Sequence, residues 1–197
     1  MLCEKLVNTI STYGVQIHFF DEPKPRKDYC HAIIIPENEL NIIRGKEGEN
    51  DNNDPVGVHI LRCDSAELLA DFAAQNMPGA LEIINELKKH FSISDEQMHI
   101  AYTLFVVLHE IGHVLHHQES GLTNSEYWYR YNGSRDDVWM IYQFCHNMIC
   151  KNPREQQLLQ TFVNQIYNNI PSEKYANEFA VDNFITNWQK LLEVGLE

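Results

Sequence analysis

The chain has 197 residues, 44% of them hydrophobic, which is enough apolar material for one domain with a sizeable core. Its formal net charge of -13 argues against a nucleic-acid-binding surface, because phosphate contacts need clustered Lys and Arg. The N-terminus lacks the apolar segment of a secretion signal and no stretch approaches the length of a membrane span, so we predict a single cytoplasmic domain over residues 1–197 with neither a nucleic-acid nor a membrane partner.

The first third of the chain predicts one helix followed by short strands. Residues 2–13 are expected to be helical, and Gly14 ends the helix. Alternating or apolar runs then indicate strands, and polar runs rich in Pro, Asn or Gly separate them. The predicted strands are residues 15–20, 31–35 and 56–61, and the predicted loops are residues 21–28 and 44–55.

The rest of the chain predicts helices. They are expected over residues 64–76, 78–90, 94–120, 138–150, 153–169 and 173–192. A small sheet followed by many helices is typical of an α+β domain. We therefore expect a small β-sheet packed on a mainly helical body.

The helix expected over residues 94–120 is the most apolar of these. Ser94 and Gln97 have the spacing of a capping box, and the run from Met98 to Leu108 is apolar almost all round, which predicts a buried helix. Gly112 within it costs roughly 1 kcal/mol relative to Ala, so its presence indicates a close neighbour or an open groove.

The sequence His109-Glu110-Ile111-Gly112-His113 places a His-Glu-x-x-His pattern in this helix. Histidines at i and i+4 lie one turn apart on the same face, where both imidazoles can reach one ion. Zinc binds imidazole nitrogen readily, and Glu110 would stand beside the metal, placed to take a proton from a bound water. The alternative is a buried helix with two hydrogen-bonded histidines. The pattern favours metal-assisted hydrolysis.

Two histidines leave zinc short of a third protein ligand, and the C-terminal helix offers two registers for it. In the first, Glu173 binds the metal and Asn177, one turn later, accepts a hydrogen bond from His109 or His113. In the second, Glu178 binds and Asp182 supports. The spacing alone does not choose between them.

These two motifs together resemble the ImmA/IrrE family of gluzincin metallopeptidases. The resemblance lies in His109-Glu110-Ile111-Gly112-His113 and in Glu173-x-x-Ala176-Asn177-x-Phe179-Ala180, which cover roughly a quarter of the chain. It implies a zincin-like metallopeptidase domain with one Zn²⁺ per chain, bound by His109, His113 and Glu173. It also implies that Asn177 supports the site and that the substrate is a protein partner, typically a repressor of a mobile element.

The sequence therefore predicts a zinc-dependent peptidase with Glu110 as its general base. Several side chains are chemically able to steady the developing oxyanion: Tyr127, Tyr129, Tyr131, His146 and Tyr175. Two other functions stay open. One is a zinc-binding regulatory module without turnover, for which a fourth protein ligand would be the sign. The other is a zinc hydrolase of small amides, for which a closed pocket would be the sign.

Overall fold

The structure is a computed structural model that describes residues 2–20, 32–35, 57–61, 80–91, 93–148 and 152–195. The predicted loops at 21–28 and 44–55 and the predicted helix at 64–76 lie outside the described residues.

The N-terminal part contains a helix and a three-stranded sheet. Helix α1 (Leu2–Ile10) continues as a single 3-10 turn (Ser11–Tyr13) and ends at Gly14, whose φ of 70° is left-handed. Strand β3 (Gly57–Leu61) lies in the middle of the sheet, parallel to β1 (Ile17–Phe20) and antiparallel to β2 (Ala32–Ile35). The predicted first helix and the three predicted strands are confirmed within one to two residues.

Five more helices follow in the described part of the chain. They are α2 (Ala80–His90), α3 (Met98–Ser120), α4 (Asn124–Met148), α5 (Pro153–Asn168) and α6 (Pro171–Glu193).

The main core lies where α3 packs against α6. Residues 101–109 of α3 are buried without interruption. On α6 the buried residues Ala176, Ala180 and Phe184 recur at four-residue intervals and form one face towards α3. A second, smaller cluster lies between α4 and α5, and its buried members are Val138, Val163, Tyr167 and Ile170.

The two helices of the main core approach each other most closely at Gly112. A β-carbon added there would stand 2.8 Å from the Cα atom of Ala176 and 3.2 Å from its carbonyl oxygen. No ordinary β-carbon contact is that short, so the position requires glycine. The sequence indicated either a close neighbour or an open groove at Gly112, and the structure shows the close neighbour.

The prediction of an α+β domain is wrong, because the described residues form a mainly helical fold. Each of the three strands has only four or five residues, and the central core is built between helices rather than between a sheet and a helical layer. The order of strands and helices along the chain predicted a sheet layer packed on a helical layer. The long apolar surface of α3 is covered instead by α6, which leaves the sheet a minor part of the core.

Two predicted helix boundaries also differ from the structure. α3 begins at Met98 rather than at Ser94, although the capping-box hydrogen bonds between Ser94 and Gln97 are present in the turn before it. α4 begins at Asn124 rather than at residue 138, and its start is marked by reciprocal hydrogen bonds between Thr123 and Glu126. This Thr-x-x-Glu signal was present in the sequence, but Gly133 and Ser134 interrupted the helical pattern after it.

α3 is also long and apolar enough to cross a membrane, judged by length and composition alone. The expectation that no stretch approaches that length is therefore wrong. However, 67% of the apolar window is buried inside the fold, as in the core helix of a globular domain.

Candidate metal centre

His109, His113 and Glu173 form a buried group that can hold a metal ion. The two imidazole Nε2 atoms lie 3.0 Å apart. Oε2 of Glu173 is 3.4 Å from Nε2 of His109, and Oε1 is 3.6 Å from Nε2 of His113. Across the α3–α6 contact the structure thus brings together the two histidines of the helical motif and the carboxylate expected from the C-terminal helix.

The donor atoms and their spacing fit a zinc ion. With bonds of about 2.0–2.2 Å, two ligand atoms of a tetrahedral zinc stand about 3.3–3.5 Å apart, and the three distances here span 3.0–3.6 Å. Oε1 of Glu173 is fully buried and accepts no hydrogen bond of ordinary geometry from the described residues, although Nε of Arg135 lies 3.2 Å away. The site therefore has the ligand set for a cation, and Arg135 already balances part of the carboxylate charge.

Asn177 orients one of the imidazole rings. Nδ1 of His109 donates a hydrogen bond to Oδ1 of Asn177 at 3.0 Å, and the amide nitrogen of Asn177 lies 3.5 Å from Oδ1 of Asn168. With its proton on Nδ1, a neutral His109 presents the lone pair of Nε2 towards His113 and Glu173. This is the arrangement that the first of the two registers predicts for Asn177.

The charge state of Glu173 also suits a metal ligand. Its burial works to raise the pKa of the carboxyl, but the opposing effects of His113, Arg135 and hydrogen bonding to the histidines hold that pKa well below its ordinary value. For His109, burial works to lower the pKa, and the Glu173 carboxylate outweighs it and raises the pKa. Glu173 is consequently ionised at neutral pH, the form that binds cations.

Glu110 lies between the two ligand histidines in sequence but outside the ligand group. It is partly exposed, whereas His109 and His113 are buried. Its charge still acts on His109 and on Arg135, so it belongs to the electrostatic surroundings of the site. The role of Glu110 as a general base stays a prediction.

Arg135 is a member of the site that the sequence did not reveal. Its Nε lies 3.2 Å from Oε1 of Glu173, and its guanidinium carbon lies 5.7 Å from the ring centroid of Tyr167. Arg135 belongs to a part of α4 that none of the predicted helices covered, so no helical face could be drawn through it. The Thr123–Glu126 capping signal could have extended that helix as far as Arg135, but it could not have revealed the contact with Glu173.

The second register of the C-terminal helix is not used at this site. Glu178 has a side chain that is 64% exposed and lies 3.8 Å from Nζ of Lys174, and Asp182 is also exposed. Glu173, in contrast, is 1% exposed and lies on the buried face of α6. Glu178 is rotated from it by roughly 140° about the helix axis.

Tyr127 is one of the side chains considered for steadying an oxyanion, and the charges of the site act on it. It is half-buried, its hydroxyl lies 2.8 Å from Nδ1 of His116, and it feels the charges of Glu173, Arg135 and Glu110. Burial raises its pKa well above the ordinary value, so its hydroxyl keeps its proton.

The other four candidates have surroundings that do not mark them for this role. Tyr129 is 87% exposed, Tyr131 packs against Tyr127, His146 lies beside Asn147, and Tyr175 interacts with Glu119.

No family model, no curated protein and no solved structure matches this chain.

Proposed function

We propose that this protein is a zinc-dependent metallopeptidase. The observation that carries the proposal is the buried trio of His109, His113 and Glu173, with Glu110 partly exposed beside it. A structural zinc site is normally closed by four protein ligands, whereas a hydrolytic site has three and leaves one position open. Within the described residues the group contains three side chains, which favours hydrolysis over a purely structural role.

His109, His113 and Glu173 would hold the ion, with Asn177 fixing the ring of His109. When bound, zinc supplies Lewis-acid chemistry, which activates water and polarises a carbonyl. Glu110 accepts the proton from the attacking water and donates it to the leaving amine, because it is the accessible carboxylate beside the ligands. The Tyr127 hydroxyl, protonated at neutral pH, is our candidate for donating to the developing oxyanion.

The likeness of the two sequence motifs to the ImmA/IrrE family supports a protein substrate, and a repressor or other regulator of a mobile element is the class we propose. A cytoplasmic location is part of the same proposal. An experiment can distinguish a peptidase from a small-amide hydrolase, because only the peptidase cleaves bonds within a polypeptide chain.

The test uses the zinc-loaded protein and a peptide library made by digesting a whole proteome. We expect mass spectrometry to find new termini that are absent when a chelator has removed the metal and that return when zinc is restored. Binding of zinc without cleavage of either the library or intact proteins from an extract would favour the regulatory module. Turnover of short N-acyl amides alone would favour the small-amide hydrolase.

A further inference from the structure

Arg135 forms an ion pair with Glu173. The two histidines and the carboxylate do not need a cationic neighbour to bind a metal ion. Nε of Arg135 lies 3.2 Å from Oε1 of Glu173, on a carboxylate that is 1% exposed. A cation so close to a metal repels the metal ion, which by itself weakens metal binding. Its presence therefore calls for another role.

The two carboxylate oxygens of Glu173 have different neighbours. Oε1 lies 3.2 Å from Nε of Arg135 and 3.6 Å from Nε2 of His113, and it accepts no hydrogen bond of ordinary geometry from the described residues. Oε2 lies 3.4 Å from Nε2 of His109. The guanidinium therefore attracts the oxygen on the His113 side of the carboxylate, and Oε2 stands on the His109 side.

Arg135 is itself held in place. Its guanidinium carbon stands 5.7 Å from the ring centroid of Tyr167, a residue 4% exposed in the cluster between α4 and α5. Glu173 follows α5 closely in sequence, on the first turn of α6. The α4–α5 pair therefore supplies a cation, on a side chain that is 40% exposed, to a ligand that belongs to the α3–α6 pair.

We propose that Arg135 is a positioning residue that makes Glu173 a one-oxygen metal ligand. By attracting Oε1 it stops the carboxylate from binding through both oxygens, so the ion keeps an open position for water. This inference rests on the proposed function in one respect, that the trio binds a metal. It goes further by assigning the coordination mode of Glu173 and the residue that sets it.

The experiment replaces zinc with cobalt(II), whose visible absorption is stronger in four-coordinate sites than in five-coordinate ones. Arg135→Gln should release Oε1, allow two-oxygen binding and lower the cobalt absorption several-fold. Loss of a residue that orients a metal ligand also typically changes metal affinity by about 10- to 100-fold. Arg130→Gln is the matched control, because Arg130 lies on the same helix over the Tyr131 ring at 5.8 Å, and its exposed side chain does not belong to the ion pair with Glu173.

The possible results distinguish the positioning role of Arg135 from metal binding by His109, His113 and Glu173. A wild-type protein that takes up no cobalt overturns the metal site itself. A wild type that binds cobalt, with an Arg135→Gln spectrum identical to that of Arg130→Gln, overturns only the positioning role. If Arg135→Gln does not fold, Arg135→Lys gives the second test: it keeps the charge on a differently shaped head group, and we expect a smaller shift in the same direction. An unchanged spectrum in that variant would count against orientation by the guanidinium.

Discussion

Gly112 lies directly against the backbone of Ala176, so close that a single added carbon would stand 2.8 Å from the Cα atom. Gly112 precedes the ligand His113 in the chain, and Ala176 follows the ligand Glu173 by less than one helical turn. The distance between the two helices at this point therefore sets the distance between the metal ligands. The candidate metal site therefore requires a residue without a side chain at position 112.

We expect Gly112→Ala to weaken metal binding and to destabilise the fold. Overpacking of a close contact typically lowers the free energy of unfolding by about 1–3 kcal/mol, and the shift of α6 would carry Glu173 away from the histidines. The matched control is Gly133→Ala on α4, where an added β-carbon meets nothing within 4 Å. That change should raise stability by up to about 1 kcal/mol, because Ala favours helix over Gly. Thermal unfolding and zinc titration of both variants measure the effects; equal behaviour would contradict the argument.

Glu110→Gln should retain the metal and lose hydrolysis. The amide is nearly isosteric, but it cannot accept a proton from water, and a general base typically contributes about 10²–10⁴-fold to the rate. Metal content and the cleavage of library peptides are the two measurements. Glu119→Gln serves as control, since Glu119 is an exposed carboxylate on the same helix. Wild-type cleavage rates in Glu110→Gln would show that another group is the base.

Two glutamates of α6 offer a direct comparison of ligand and surface carboxylate. Glu173→Gln removes the charge of the buried group member and should abolish tight zinc binding, because two imidazoles alone hold zinc weakly. Glu178→Gln should leave the affinity unchanged, since that side chain is 64% exposed and lies 3.8 Å from Lys174. Competition with a chromogenic chelator gives both affinities. Loss of zinc in Glu178→Gln but not in Glu173→Gln would reverse the assignment.

Asn177→Ala should reduce zinc affinity by about 10- to 100-fold, the usual effect of losing the partner that orients a ligand histidine. Nδ1 of His109 would lose its acceptor at 3.0 Å, and the ring could then rotate or change tautomer. Asn177→Asp keeps an oxygen in the same place and should restore the affinity. If the Ala and Asp variants bind zinc equally, the hydrogen bond has no influence on the site.

The parts of this site that the sequence predicted are those set by local geometry. A helix places side chains at i and i+4 on one face whatever surrounds it, so the pairing of His109 with His113 needed no knowledge of the fold. The choice of Glu173 over Glu178 depended on family likeness. A pattern that was available also distinguishes them: Glu173 continues the buried stripe of Ala176, Ala180 and Phe184, and Glu178 does not.

Arg135 could not be found in the same way, because its partners come from other helices. Its contact with Glu173 joins α4 to α6, and its contact with Tyr167 joins α4 to α5. The fold class was mispredicted for a related reason. The order of strands and helices along the chain does not say which surface covers α3, and the cover proved to be another helix.

The apolar character of α3 has a consequence for the order in which the protein acquires its structure. Its buried face is covered largely by α6, and residues 121–170 separate the two helices in the chain. During synthesis α3 therefore leaves the ribosome well before the segment that shields it. Until then the face of α3 that packs against α6 stays uncovered, and exposed apolar surface favours aggregation. Closing α6 onto α3 both covers that face and brings together the three residues that can hold a metal ion.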